Sequence, residues 1–165
     1  GALRAFTNRN KLKHVKPHGA MYNQAVNDEN LARTICEAVL EVDPSMFLIA
    51  LSGSKWVDIA ENMGLQVARE VFADRALNPD GTLVSRSLPN SIILDVDKVA
   101  EQSLNMVTHG KATTINGSEI DVQADSLCIH GDTPGAINMA YTVRKVLEDA
   151  GVKIVPLDQF ISGCP

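Results

Sequence analysis

The sequence predicts an α/β protein whose strands form a largely parallel sheet. Apolar runs of strand length alternate with segments of helical periodicity, which is the pattern of consecutive βα units. Polar, glycine-containing segments directly follow several of these runs. The chain has 165 residues, of which 45% are hydrophobic and 21% charged, as is typical of a globular domain. We therefore expect residues 1–165 to form a single folding unit.

The first third of the chain contains two predicted strand–helix pairs. Residues 13–16 are expected to form a short strand, and helix-start signals predict a helix over residues 28–41. Residues 46–51 are continuously apolar, as in a strand buried on both faces. Ser54 follows a tight turn, so we expect it to cap a helix over residues 54–64.

The middle third combines a third strand with a long loop. Residues 66–72 alternate and are rich in valine, which predicts a strand. The polar segment that follows, residues 73–90, is long, and long loops in compact domains are usually functional. Asp95 is expected to cap a helix over residues 95–109, and the Asn-Gly pair within residues 111–122 predicts a hairpin.

The last third is predicted to repeat the strand–helix–strand order. Residues 126–129 are a strand, residues 134–150 a helix ended by Gly151, and residues 152–155 a final strand. In parallel α/β sheets and barrels, the C-terminal ends of neighbouring strands open into one shared crevice. Residues that directly follow strands are therefore the candidates for a functional site.

Composition excludes several classes of function. The net charge is −5 and the 15 lysines and arginines are scattered, so we expect no nucleic-acid partner. The apolar runs are far below the roughly 20 residues of a membrane-spanning helix, and no secretory signal is seen, so we expect a cytoplasmic protein without a membrane partner. The cysteines Cys36, Cys128 and Cys164 are odd in number and widely spaced, which favours reduced thiols.

The first candidate pair is Lys16 and His18, which flank Pro17 and precede Gly19. Proline restricts this backbone and glycine frees it, so the turn is suited to aim two side chains. Lysine can hold a carboxylate or phosphate, and histidine can transfer a proton near neutral pH. The alternative is an ordinary solvated turn, and the residues alone do not decide between the two.

The second candidate group is Asp74, Arg75 and Arg86, which lie in the loop after the third strand. Asp74 is a candidate general base or metal ligand, and either arginine is a candidate clamp for a carboxylate. Against this, adjacent Asp and Arg residues commonly form a structural ion pair. Both interpretations remain open at this point.

The third candidate group is His130 and Asp132, at the end of a strand and just before a helix. A helix N-terminus offers free N–H groups and positive potential, which favours an anion. Alternatively, Asp132 or Thr133 caps the helix while His130 satisfies a buried hydrogen bond. The sequence contains no GxxxxGK[ST], no GxGxxG after a strand and no HExxH, so it shows no recognisable nucleotide cradle and no zincin motif.

Four segments together resemble the LamB/YcsF family. They are VKPHGAMYN at 15–23, EVFADR at 70–75, DGTLVSR at 80–86 and CIHGD at 128–132. Each is weak alone, but their order and spacing also match, and the likeness covers nearly the whole chain. Leu77 stands where relatives often have an aromatic residue, which is a minor departure.

This resemblance implies a (β/α) barrel of the glycoside hydrolase/deacetylase type. It further implies a role as one component of an ATP-dependent 5-oxoprolinase, which acts with separate B and C subunits to hydrolyse 5-oxo-L-proline to L-glutamate. Our hypothesis for the site residues divides them into two groups. The catalytic group is Asp74 and His130, with His18 in reserve, and the substrate-binding group is Lys16, Arg75, Arg86 and Asp132.

The resemblance also implies that residues are missing. Family members run to roughly 250 residues, and their opening acidic and histidine segments are not in this sequence. We therefore expect a partial barrel that lacks its first strands and corresponds to the C-terminal two-thirds of the family domain. Any divalent metal site would depend partly on the absent segments, so the metal ligands are unknown.

Open sheet edges invite pairing with another chain. We therefore expect either a homo-oligomer or a different fold at the N-terminal end. Two other functions stay open: a metal-dependent polysaccharide or amide deacetylase, suggested by the fold type alone, and an inactive remnant that serves as a scaffold.

Overall fold

The computed structural model describes residues 5–7 and 12–160. These residues form two compact units. The first contains residues 5–7, 12–50, 54–68 and 157–160, and the second contains Leu51–Gly53 and Arg69–Pro156. The expectation of a single folding unit stays a prediction.

The described residues form a mixed α/β fold. The elements, in chain order, are β1 (His14–Val15), α1 (Ala20–Asn27), α2 (Glu29–Val42), β2 (Phe47–Leu51), α3 (Lys55–Asn62), β3 (Gln66–Phe72), α4 (Val96–His109), β4 (Lys111–Thr113), β5 (Glu119–Asp121), β6 (Ser126–Cys128), α5 (Ala136–Asp149) and α6 (Leu157–Phe160). No helix within these ranges is both long enough and apolar enough to cross a membrane.

The strands form a four-stranded sheet and a two-stranded hairpin. The order in the larger sheet is β1-β2-β3-β6. Strand β1 pairs in parallel with β2, and β3 pairs in parallel with β6. The antiparallel hairpin β4–β5 confirms the Asn-Gly signal, with Gly117 at a φ of 84°. A parallel sheet of this kind is consistent with part of a (β/α) barrel.

The first unit is organised by turn and capping residues. Helix α1 begins after Gly19, whose φ of 62° favours glycine. This helix was not predicted, because residues 20–27 carry neither a side-chain cap nor an acidic first turn. The side chain of Asp28 accepts hydrogen bonds from the backbone N–H groups of Asn30 and Leu31, which confirms the predicted start of α2.

Hydrophobic packing in the second unit lies beneath the end of β3. Ala73, directly after that strand, is fully buried in a cluster with residues of α4 and α5. The members of this cluster are Ala73, Val99, Met139, Val143 and Leu147. Helix α4 begins as predicted, because the carboxylate of Asp95 accepts from the N–H groups of Asp97 and Lys98. Two well-packed helices therefore support the loop that follows β3.

One predicted element is wrong. Residues 152–155 were expected to form a strand, but none is assigned there, and the chain continues into the short helix α6. A strand requires a hydrogen-bonded neighbour, and within the described part of the chain no pairing involves these residues. Ile154 and Val155 are accordingly exposed. The apolar run alone therefore did not determine a strand.

Candidate active site at the ends of two paired strands

The register of β3 and β6 places Asp74 beside His130. Phe72 is opposite Cys128 in the parallel ladder, and the N–H of Ala73 donates to the carbonyl of Cys128 at 3.0 Å. Asp74 lies two residues after Phe72, and His130 lies two residues after Cys128, so the two residues follow their strands at matching positions. Two segments 56 residues apart in sequence therefore bring a carboxylate and an imidazole into contact.

Asp74 is a fully buried carboxylate surrounded by donors. Its Oδ2 accepts from the backbone N–H of His130 at 3.1 Å and from the hydroxyl of Thr133 at 3.0 Å. Its Oδ1 lies 2.9 Å from Nδ1 of His130. Asp74 is 0% exposed, and a buried charge is tolerated only when such partners are present. The carboxylate is therefore fixed in position.

The contact with Asp74 determines which ring nitrogen of His130 carries the proton. A carboxylate accepts hydrogen bonds, so Nδ1 carries the proton and the neutral ring offers the lone pair of Nε2. The ring also stacks on Phe72, with centroids 5.7 Å apart and planes at 21°. The side chain of His130 remains 22% exposed. This is the geometry of a general base or acid that is oriented by a buried carboxylate.

Thr133 is a site residue that sequence reasoning missed. It was weighed only as a helix cap, together with Asp132, and that role is wrong, whereas the hydrogen bond expected of His130 in the same alternative is present. Helix α5 begins at Ala136 with Gly135 as its N-cap, and no side chain caps it. Thr133 is 8% exposed and donates its hydroxyl to Asp74 instead. Its position shortly after β6, three residues beyond His130, was the available signal.

Arg75 is committed to the backbone of its own loop. Its Nε donates to the carbonyl of Ser91 at 3.1 Å, and its Nη2 donates to the carbonyl of Val84. The side chain is buried, and burial lowers the pKa of Arg75, as does the nearby charge of Arg86. The guanidinium therefore joins the two ends of the loop.

Arg86 and Asp132 form an exposed pair. Nη1 of Arg86 lies 3.4 Å from Oδ2 of Asp132, and their side chains are 46% and 72% exposed. A hydrogen bond from its own backbone N–H lowers the pKa of Asp132, and the charge of Arg86 acts in the same direction. A long, solvated pair of this kind contributes little stability. Arg86 is consequently available to exchange Asp132 for another anion.

Lys16 and His18 lie in the first unit, after β1. The ammonium of Lys16 is 5.5 Å from the centroid of the Tyr22 ring, a cation–π distance. His18 is exposed. The functional roles expected for these two residues stay predictions.

The described residues do not supply a metal site by themselves. No group of three or more His, Cys, Asp or Glu side chains in that part of the chain is placed to hold a metal ion. Asp74 uses both carboxylate oxygens for hydrogen bonds.

Comparison with known proteins gives a consistent set of relatives. The sequence profile of the LamB/YcsF family matches residues 1–162. The chain is 51% identical over 163 residues to the A subunit of 5-oxoprolinase from Pyrococcus horikoshii, covering 98% of this chain and 64% of that protein. It is 49% identical over 159 residues to the corresponding 5-oxoprolinase component of Coprothermobacter proteolyticus, covering 95% of this chain and 61% of the relative.

A solved structure is also similar. The crystal structure of a lactam utilization protein from Thermus thermophilus matches with a TM-score of 0.79 and 43% sequence identity, over 87% of this chain and 57% of that one. Fold and site together define an α/β protein with an oriented Asp–His pair at the carboxyl ends of parallel strands. The chain belongs to the LamB/YcsF family. It spans about 64% of the length of the first of these relatives.

Proposed function

We propose that this chain supplies an acid–base site to an ATP-dependent 5-oxoprolinase, as the A component of that enzyme. The substrate is 5-oxo-L-proline and the product L-glutamate. The observation that carries the proposal is the contact between Asp74 and His130, which leaves one imidazole nitrogen directed away from the carboxylate. Relatives that are named as 5-oxoprolinase components support the choice of a lactam as substrate.

The reaction requires a proton acceptor and later a proton donor. The lactam ring is unstrained and resists water, so ATP serves to convert the carbonyl oxygen into a phosphorylated leaving group. Nε2 of His130 takes a proton from the water molecule whose oxygen attacks the carbonyl carbon. When the carbon–nitrogen bond breaks, His130 returns a proton to the departing nitrogen and the opened chain is left as an acyl phosphate. A second water molecule then cleaves this acyl phosphate to glutamate and inorganic phosphate. Asp74 stabilises the imidazolium formed between these steps.

Substrate orientation falls to Arg86 in this proposal. The substrate carries a carboxylate, and a guanidinium binds carboxylates through parallel hydrogen bonds. Arg86 is half exposed and makes a long contact to Asp132, whereas Arg75 is held by two carbonyls. We therefore assign the carboxylate to Arg86, with Asp132 holding the guanidinium in place before substrate binds.

The proposed reaction also requires ATP and the partner subunits. The sequence has no phosphate-binding motif of the Walker or dinucleotide type, so no residue of this chain is assigned to phosphoryl transfer. We propose that the B and C subunits contribute to that step. A metal-dependent deacetylase remains an alternative, suggested by the fold type alone.

The test is glutamate release from 5-oxoproline in the presence of ATP and purified B and C subunits. The 165-residue chain is compared with the longer Pyrococcus horikoshii relative, with and without ATP. ATP-dependent release by both proteins supports the proposal and places the essential groups within this chain. Release by the relative alone shows that the reaction needs segments outside this chain. ATP-independent release that a chelator abolishes favours the deacetylase alternative.

A further inference from the structure

The carbonyl oxygens on either side of Asp74 converge on one side chain. Nε2 of Gln102, on α4, lies 3.1 Å from each of the carbonyl oxygens of Phe72, Ala73 and Arg75. The carbonyl of Asp74 is satisfied separately by the N–H of Ile93 at 2.9 Å. Three backbone carbonyls at the end of β3 thus share the side-chain amide of Gln102 as their hydrogen-bond donor.

These hydrogen bonds constrain the direction of the Asp74 carboxylate. An amide nitrogen has two N–H groups, so three acceptors at equal distance share them. Rotation of the peptide plane before Asp74 would move the carbonyl of Ala73 away from Gln102, and rotation of the plane after it would move the carbonyl of Asp74 away from the N–H of Ile93. Either rotation would turn the side chain of Asp74. A displacement of about 1 Å in a catalytic group can reduce a rate about 10²-fold.

Helix α4 gives Gln102 a rigid base. Val99 and Ser103, one turn before and one residue after it, are fully buried. Val99 belongs to the same cluster as Ala73. The helix is capped by Asp95 at its start and ended by Gly110, whose φ is 64°. Helix α4, which carries the Gln102 amide, is consequently anchored in the same hydrophobic cluster that packs at the end of β3.

We propose that Gln102 is a positioning residue for the Asp74–His130 pair. It acts through the backbone of residues 72–75 and does not contact substrate. Its catalytic importance rests on the proposed function, but its effect on His130 does not. Gln102 also borders a cavity of about 910 Å³ lined by α4, residues 90 and 92–95, and β4, and neither Asp74 nor His130 lines that cavity.

The first experiment measures the imidazole of His130 directly by nuclear magnetic resonance. In the wild-type chain, we expect a hydrogen-bonded Nδ1–H signal and nitrogen shifts of a single tautomer. Gln102→Met has a side chain of similar length without a donor, and we expect it to weaken that signal and shift the nitrogens towards averaged values. Gln123→Met is the matched control, since Gln123 is exposed, and it should leave the spectrum unchanged.

A measurement on the wild-type chain covers the case in which Gln102→Met does not fold. The side-chain amide protons of Gln102 should exchange with solvent at least about tenfold more slowly than those of Gln123, because they are engaged by three carbonyls. Equal exchange rates overturn the proposal. An unchanged His130 spectrum in a folded Gln102→Met variant also overturns it.

A measurement of activity distinguishes a failure of the role proposed for Gln102 from a failure of the proposed function. In the 5-oxoprolinase assay, Gln102→Met should lower kcat about 10²-fold while KM changes by less than about threefold, because the residue positions a catalytic pair without contacting substrate. If the wild-type protein and its longer relative release no glutamate, the proposed function fails. The His130 spectrum still decides the role of Gln102 in that case.

Discussion

Nδ1 of His130 lies 2.9 Å from Oδ1 of Asp74, and the two residues differ sharply in exposure. The carboxylate is 0% exposed, whereas the imidazole side chain is 22% exposed. Asp74 is therefore shielded from solvent, whereas His130 is partly accessible. The sequence interpretation gave both residues a share in handling water and protons, whereas this geometry favours Asp74 as the orienting group and His130 as the proton carrier.

The first prediction concerns Asp74→Asn. Asparagine preserves the shape but replaces one acceptor oxygen by an amide that repels Nδ1–H, so the ring loses its preferred tautomer. We expect hydrolysis of 5-oxoproline to fall by about 10²–10⁴-fold, the usual contribution of general acid–base catalysis. Glutamate release measures the effect. Asp58→Asn, at an exposed position on α3, is the control, and equal activity of the two variants would contradict the assignment.

The second prediction concerns Thr133. Thr133→Val keeps the volume but removes a buried hydroxyl that donates to a charged group. We expect it to lower the free energy of unfolding by about 1.5–3 kcal/mol, the range for such hydrogen bonds, as measured by urea denaturation. Thr133→Ser retains the donor and should lose less than half of that amount. Equal losses in the two variants would contradict this, because the methyl group removed in Thr133→Ser would then matter as much as the hydroxyl removed in Thr133→Val.

The third prediction separates the two arginines. Arg75→Met removes two hydrogen bonds to backbone carbonyls inside the protein, and leaving such acceptors without partners costs about 1–3 kcal/mol each. Arg86→Met breaks only an exposed pair and should leave stability nearly unchanged. Thermal denaturation measures both effects.

In the 5-oxoproline hydrolysis assay the order should reverse, with the larger effect in Arg86→Met and the smaller one in Arg75→Met. Arg86→Met is expected to raise KM for 5-oxoproline at least about tenfold, because the substrate carboxylate loses its guanidinium. Arg86→Lys keeps the charge and should recover part of the affinity. An unchanged KM in Arg86→Met would remove Arg86 from the substrate site.

The fourth prediction uses the thiols. Cys36 is 0% exposed, and burial raises its pKa above the ordinary value of 9.0, so little thiolate forms near neutral pH. Cys128 is partly exposed. At about pH 8, iodoacetamide should modify Cys128 at least about tenfold faster than Cys36. Cys164 lies outside the described residues, so it is replaced by serine in every sample, and mass spectrometry reports the order of modification.

The raised pKa of Cys36 also has a consequence for stability. A thiol whose folded pKa is raised favours the folded state fully below the unfolded pKa, and this contribution is lost as pH rises through the folded pKa. Above about pH 9, the wild-type chain should therefore lose stability more steeply than Cys36→Ala. Parallel stability curves for the two proteins would contradict the buried, neutral thiol.

Much of the architecture was predictable because the signals were local. Strand β3 occupies the predicted residues 66–72, and α4 starts at the predicted cap Asp95. Valine-rich alternation and a helix-capping aspartate act over a few residues, so the sequence displays them directly. The run at 152–155 was misassigned because a strand also depends on a partner that no local pattern reveals.

The site was predictable only in part. The rule that strand ends share a crevice identified Asp74 and His130 as candidates, and the structure brings them into contact. Thr133 and Gln102 escaped because their roles depend on which group their side chains reach. Gln102 is separated from the carbonyls that it binds by 27 to 30 residues, and nothing around it in sequence distinguishes it from any other polar residue on a helix.

The most direct test of the Asp74–His130 site is the rate of 5-oxoproline hydrolysis by His130→Asn, with ATP and the B and C subunits. Asparagine can still donate to Asp74 but has no nitrogen lone pair to accept a proton. The same change is made at the aligned position of the Pyrococcus horikoshii relative. We predict a loss of about 10²–10⁴-fold with 5-oxoproline binding preserved. Hydrolysis at the wild-type rate would show that His130 does not carry the proton.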